Sequence, residues 1–420
     1  MQFENSLSFA RQADQNDPLA RFRHEFYIPQ KDGKDLVYLC GNSLGLQPKR
    51  ARAAIEQELK DWAELGVDGH FQGKNPWKYY HHFLAENAAH VVGANPGEVV
   101  VMNNLTANLH LMMVSFYRPT TTRYKIMMEV SAFPSDQYAM ETQARFHGFD
   151  PEDAIIELKP RDGEYTLRTE DILTRIYEHK DNLAIVMMGG VNYYTGQAFD
   201  MKTISRAAHD VGAIAGFDLA HAAGNLPLQL HEWDVDFAVW CSYKYLNSGP
   251  GGTSGVFVHE RHGENSELPR FAGWWGHDEE TRFQMKKGFK PMKGAAGWQL
   301  SNAQIFPMAI HKASLELFEE AGIPALRNKS LQLTAYLEFI LRSFSAHLTL
   351  ITPSNPDERG CQLSIIVKKD GKKVFDYLEA NQILPDWREP DVIRMSPVPL
   401  YNTFEDVYRI GEVLKSYFNQ

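Results

Sequence analysis

Cysteine is scarce. The 420 residues hold three, Cys40, Cys241 and Cys361. They are odd in number, far apart and in no CxxC spacing, which argues against a disulfide framework or a zinc knuckle. No stretch approaches the ~18 consecutive apolar residues of a membrane span. The opening MQFENSLSFARQADQNDPLARFR mixes charges of both signs and has no apolar core, so no signal peptide is expected and the chain reads as cytoplasmic. Positive charge is not in excess either. Lys and Arg number 43 against 53 Asp and Glu, a net −10, whereas nucleic acid and anionic membranes both reward a cationic face. Neither partner is expected. One local exception, MKKGFKPMKG with Lys286, Lys287, Lys290 and Lys293, reads as a solvated loop. No GxGxxG follows an early strand, so a nicotinamide dehydrogenase drops out. No HExxH or similar cluster points to a metal, and neither an internal repeat nor a low-complexity segment is present.

What is there is an ordinary globular composition, 44% hydrophobic and 23% charged. From residue 98 onward short β-rich runs alternate with helical segments: EVVVMNN, TANLHLMMVSF, YKIMMEV, a helix after Pro134, AIIEL, TEDILTRIYEHK, LAIVMMGGV, MKTISRAAHDVG, AIAGFDLA, DFAVWCS and GVFVHE. That alternation predicts an α/β fold whose large domain has a mostly parallel sheet flanked by helices. The expected organisation is an N-terminal helix and arm over 1–45, the large domain over 46–302, connecting helices over 303–345 and a smaller α+β domain over 346–420.

In such a sheet, ligands sit at the carboxyl ends of the strands. Four features fall there. In NNLTANLH a strand end meets a helix start at Leu105 and Thr106, where backbone N–H groups and a hydroxyl suit a phosphate; Thr106 alone could equally be a helix cap. In SAFPSDQYA, Phe133 offers a ring face and Asp136 a carboxylate near a helix N-terminus. In GFDLAH, Asp218 ends a buried run and His221 follows at i+3. A carboxylate there is costly unless something cationic meets it, a metal or a protonated ring nitrogen. In CSYKYLNSGPGG, Lys244 follows a hydrophobic strand, where partial desolvation makes its amine available as nucleophile or base. An Asp ending one strand and a Lys ending the next, with a phosphate-type turn upstream, is the set that pyridoxal 5'-phosphate requires.

The chain resembles the kynureninases, members of the aspartate-aminotransferase-like (type I) pyridoxal-phosphate enzymes. The likeness runs over nearly all of it, through YLCGNSLGLQPK, FPSD, YTGQ, GFDLAHAAGN, DFAVWCSYKYLNSGPGG, GWWGH, RGCQL and SPVPLYN. The resemblance implies that Lys244 bonds the cofactor and that Tyr243 binds its phosphate and moves a proton. Leu105 and Thr106 would hold phosphate. Phe133 would stack on the ring, with Pro134, Ser135 and Asp136 in the same loop. Asp218 would pair with the ring nitrogen and His221 would lie beside it. Trp274 and Asn302 would reach the site in part from a neighbouring subunit, which implies a homodimer. Arg394, in VIRMSPVPLYN, would take the substrate α-carboxylate.

The reaction so implied is hydrolysis of the Cβ–Cγ bond of L-kynurenine or 3-hydroxy-L-kynurenine. It gives anthranilate or 3-hydroxyanthranilate plus L-alanine, in tryptophan catabolism or NAD biosynthesis. His70, in DGHFQGKNPW, and Asn302 resemble the pair found with the 3-hydroxy substrate. One departure stands out: where relatives can carry a hydroxyl residue after LAIVMM, this chain has Gly189 and Gly190. Two rival readings are another type I reaction, such as cysteine desulfuration through Cys361, and a cofactor-binding scaffold without catalysis.

Overall fold

The apolar runs from residue 98 onward become the strands of one sheet in the computed structural model, which describes residues 2–419. They are β1 (Val99–Met102), β2 (Lys125–Glu129), β3 (Ile155–Leu158), β4 (Leu183–Gly189), β5 (Ile214–Asp218), β6 (Phe237–Trp240) and β7 (Ser254–Val258). Their order across the sheet is β1-β7-β6-β5-β4-β2-β3. All run parallel except β7, which lies antiparallel between β1 and β6. Every residue of β1, β6 and β7 is buried, as expected of strands covered by helices on both faces.

The helices of nine residues or more among the described residues are α1 (Leu7–Gln15), α2 (Arg50–Leu65), α3 (His82–Val92), α4 (Leu105–Phe116), α5 (Pro134–Phe146), α6 (Thr169–Glu178), α7 (Met201–Asp210), α8 (Ile305–Ala321), α9 (Ile323–Arg342), α10 (Gly371–Ala380) and α11 (Phe404–Phe418). Two of them set the site. Helix α4 begins where Asn103, at φ 47°, turns the chain out of β1, and the Asn104 side chain accepts the Ala107 N–H at 3.2 Å. Helix α5 begins with Pro134 in its first turn, where no N–H is needed, and Asp136 adds a carboxyl to the same turn.

A second, antiparallel sheet follows, in the order β8 (Leu348–Leu350), β9 (Leu363–Val367), β11 (Val392–Met395) and β10 (Asp386–Arg388). Its core joins distant parts of the chain: Ala10 and Val37 pack with Leu333, Ile365 and Ile410. Helix α1 lies on α11, and Val37–Tyr38 pairs in parallel with Ile383–Leu384. A buried ion pair, Lys329 to Asp17 at 2.7 Å, ties α9 to the segment after α1. The helical hairpin divides between the two layers, with α8 on α2 and α3 and α9 on α11.

The segment GNSLG then crosses to the large sheet. The Gly45 N–H donates to the Tyr243 carbonyl at 2.8 Å, and a Cβ at Gly45 would stand 2.2 Å from the Lys244 carbonyl oxygen. Only glycine lets the two backbones come that close.

Candidate active site

A cavity of about 170 Å³ opens at the carboxyl edge of the large sheet. The N-termini of α4 and α5 bring Leu105, Thr106, Phe133, Ser135 and Asp136 to it, β5 and the turn after it bring Asp218 and His221, and the loop after β6 brings Tyr243 and Lys244. Nine of the residues singled out in the sequence thus share one wall. Pro134 is not part of that wall; it shapes the start of α5.

Lys244 is half-buried, and its Nζ donates to His221 Nε2 at 3.0 Å. Burial first, then the charge of Lys244, pushes His221 well below its ordinary pKa, so the ring is neutral. With Nε2 accepting, the ring proton sits on Nδ1, a buried atom that meets no partner among the described residues. The Phe133 ring lies 5.7 Å from Lys244 Nζ, stands at right angles to the Tyr193 ring at 5.2 Å and is 41% exposed, an aromatic ring in the cavity wall.

The carboxyl groups are arranged by burial. Asp218 accepts the Ala220 N–H at 2.6 Å and a hydrogen bond from Asp136. Burial and the neighbouring Asp218 charge raise Asp136 well above the carboxylate range. Burial raises Asp218 too, but the Ala220 N–H, the Lys244 charge and the Asp136 hydrogen bond oppose that shift, so Asp136 keeps the shared proton and donates a hydrogen bond to the Asp218 carboxylate. Tyr243, raised chiefly by burial, also keeps its proton.

These features fit pyridoxal phosphate. A buried anion faces the space where a protonated ring nitrogen would lie, an aromatic face stands beside it, and an orphaned polar atom sits in the wall. The Asn104 cap claims the Ala107 N–H and leaves the N–H groups of Leu105 and Thr106 for an anion.

Arg394 lies just beyond this wall, 1% exposed, at the end of β11. It donates to Asp386 through Nε at 3.0 Å and Nη2 at 2.6 Å, to the Tyr193 carbonyl at 2.9 Å and to Ser43 Oγ at 3.1 Å. Arg388 adds a longer contact to the same Asp386 oxygen at 3.4 Å. Two guanidiniums share one carboxylate, so the seat carries net positive charge, and both contribute to lowering His221.

Besides Pro134 and Arg394, three more expected residues lie outside the chain's own cavity. Trp274 is 43% exposed and its indole N–H donates to the Arg282 carbonyl at 3.1 Å. Asn302 is exposed. His70 is half-exposed, with Nδ1 3.1 Å from the Val67 carbonyl and its ring edge-on to Trp77 at 5.3 Å. Four wall residues escaped the sequence reading, Glu129, Val191, Tyr193 and Ala220. Glu129 carries the signal that exposed Asp218, a carboxyl ending a buried strand. Tyr193, Asp386 and Arg388 carry none.

A family model described as the kynureninase C-terminal domain matches residues 326–414. The chain is 56% identical to a kynureninase of Flavobacterium psychrophilum over 419 residues, covering 99% of each. It is 58% identical to one of Koribacter versatilis, covering 97% of this chain and 96% of that one. It is 50% identical to one of Nematostella vectensis, covering 98% and 94%. Among solved structures, a cysteine desulfurase of Thermococcus onnurineus superposes with a TM-score of 0.77 at 17% identity, over 97% of this chain and 98% of that one. The Escherichia coli cysteine desulfurase CsdA gives 0.77 at 18%, over 96% and 98%. At that identity the likeness shows the type I fold alone.

Proposed function

Because this chain belongs to the kynureninase family, we propose that the cavity around Lys244 is its active site and that the residues lining it divide the work as follows. The protein is a pyridoxal-phosphate-dependent hydrolase that cleaves the Cβ–Cγ bond of L-kynurenine to anthranilate and L-alanine. The observation that carries the site assignment is the Lys244 amine 3.0 Å from a neutral, buried histidine, in the same cavity as the Asp218 carboxylate.

Bound there, pyridoxal phosphate supplies an electron-withdrawing ring that stabilises negative charge developing on the substrate carbons. Lys244 holds the cofactor and, when its amine is free, takes the proton from the substrate Cα, with His221 Nε2 fixing the amine in place. Asp218 keeps the ring nitrogen protonated, and Asp136, as donor, holds the Asp218 carboxylate in one orientation. Leu105, Thr106 and Tyr243 bind the phosphate. Tyr243 also keeps a proton ready for the later transfers, in which water adds at the γ-carbonyl and the Cβ–Cγ bond breaks. Arg394, with Arg388 beside it, receives the α-carboxylate in the positive seat.

Cysteine desulfuration needs a mobile, ionisable cysteine. Cys361 is 1% exposed and burial pushes its thiol up to about 12, so it suits packing. The retained Lys244, Asp218 and Arg394 count against a non-catalytic scaffold.

The working unit in this proposal is a homodimer in the cytoplasm, where three unpaired cysteines suit a reducing compartment. No helix among the described residues is long and apolar enough to cross a membrane. Trp274 and His70 share the surface with Phe71, Phe283 and Met285, which are 55%, 44% and 72% exposed, an apolar patch of the kind that marks an interface. Trp274, Asn302 and His70 would complete the partner's cavity. Co-refolding Lys244→Ala chains with Trp274→Ala chains tests this. Half the dimers are then hybrids, each with one intact site, so about a quarter of native turnover returns although either parent alone is inactive. No recovery would refute shared sites.

Both kynurenine and 3-hydroxykynurenine fit this reading, with the 3-hydroxy form preferred through hydrogen bonds from His70 and Asn302. His70→Ala is expected to lower kcat/KM for 3-hydroxykynurenine by roughly 10-fold, the worth of a polar contact of about 1.5 kcal/mol, and to leave kynurenine within about threefold. Equal losses on both substrates would remove His70 from substrate choice. The product would feed tryptophan catabolism or NAD biosynthesis.

A further inference from the structure

Glu129 has no part in the reaction described above. It ends β2, two strands from Asp218, with Gly189 at the end of β4 between them. Its side chain is buried, 5% exposed, and faces the cavity that holds Lys244. Among the described residues, the donor it meets outside its own backbone is the Gly189 N–H, at 3.2 and 3.3 Å from the two carboxyl oxygens. A buried carboxyl held by one long contact is costly unless a ligand completes its bonding.

Gly189 points the same way. Its backbone is not in the left-handed region, so its conformation does not demand glycine. A Cβ there would stand 3.0 Å from Glu129 Oε1. The missing side chain is the space the Glu129 carboxyl uses. Burial raises Glu129 to about 7, so near neutrality the group can donate as well as accept.

We propose that Glu129 is a further cofactor-positioning residue, reaching across the gap at Gly189 to a polar atom on the edge of the pyridoxal-phosphate ring. The proposal rests on the reading of this cavity as the cofactor site. Lys244, the phosphate ligands and Asp218 would each hold the cofactor at one point, and the ring can still rock about those contacts. A further polar contact from the far side of Gly189 fixes its in-plane orientation, which a reaction that depends on aligned bonds requires.

The test is a pyridoxal-phosphate titration of the apo-protein, followed by cofactor absorbance and by visible circular dichroism of the bound cofactor. The variants are Glu129→Leu, Glu129→Gln, Gly189→Ala and the double variant Glu129→Leu/Gly189→Ala, each checked for native far-ultraviolet dichroism. Glu129→Leu should raise the cofactor Kd at least about 10-fold and weaken the visible dichroism, whereas Glu129→Gln, which can still accept and donate, should stay within about threefold. Gly189→Ala displaces the Glu129 carboxyl, so it should raise Kd in the native background and add nothing once Glu129 is Leu. If Glu129→Leu fails to fold, Gly189→Ala against Glu129→Gln carries the test: an unchanged Kd in Gly189→Ala then overturns the proposal. Unchanged Kd and dichroism in Glu129→Leu, or equal effects of Gly189→Ala in both backgrounds, would also overturn it. Lys244→Ala separates the two readings. If that variant also leaves the cofactor bands of the protein unaltered, the cavity itself has been misassigned; if it alters them while the Glu129 variants do not, only the present proposal fails.

Discussion

Replacing Lys244 with alanine is expected to abolish release of alanine and anthranilate, by at least roughly 10⁴-fold, the upper end of what a placed proton-transfer group contributes. The loss is that large because one amine has two duties. It holds the cofactor covalently, and it is the base nearest the bond to be broken. Among the described residues no other amine lines the cavity, and His221, held neutral and bonded to Lys244 Nζ, lacks the nucleophilic amine needed to replace it. The measurement is a discontinuous product assay, paired with borohydride reduction of the loaded protein and peptide mass spectrometry. Reduced cofactor should be found on Lys244 of the native chain and on no lysine of the variant. Added ethylamine should restore part of the turnover, because only the amine is missing. Substantial turnover in the variant without added amine would show that another group does the work.

Asp218→Asn should come next in size. The carboxamide keeps the shape and can still accept the Ala220 N–H, but it carries no charge. Removing one member of a buried charge pair costs about 3–5 kcal/mol, which corresponds to ~10²–10³·⁵-fold in turnover if the charge matters only once the ring must draw electrons. Two features make this site sensitive. Asp136, already protonated, cannot replace the missing anion without giving up a proton that burial favours. Glu129, the other carboxyl on the wall, is also shifted towards its neutral form. The variant should bind cofactor with an altered absorption band, and its kcat should fall far more than KM rises. Equal changes in both would mean that Asp218 acts only in binding.

The chemistry at the strand ends was legible because desolvation leaves a mark in sequence. A charged residue closing an apolar run, as at Asp218 and Lys244, is costly without a purpose, and both line the cavity. Glu129 lies near the end of YKIMMEV in the same way, but the valine after it carries the apolar run past the charge. The parallel sheet was legible from uninterrupted apolar strands. The reversed direction of β7 was not, since a strand buried on both faces reads alike either way. Long-range partners left no local trace. Nothing in LSFARQADQ says that α1 packs on α11, nearly 400 residues away in sequence, and nothing in VIRMSP says that Asp386 and Ser43 hold Arg394. Trp274, Asn302 and His70 are a different case. Resemblance supplied their roles, and a single chain leaves them outside its own cavity.

The central claim is hydrolysis of a carbon–carbon bond, and isotope incorporation tests it most directly. The native protein, loaded with pyridoxal phosphate, is incubated with kynurenine in ¹⁸O-enriched water, and both products are measured by mass spectrometry. Water adding at the γ-carbonyl leaves one labelled oxygen in the anthranilate carboxylate, while alanine, formed in equal amount, keeps its original carboxylate oxygens. Equimolar alanine and singly labelled anthranilate is the predicted result. Cofactor bound at Lys244 with neither product released, or anthranilate formed without the label, would contradict it.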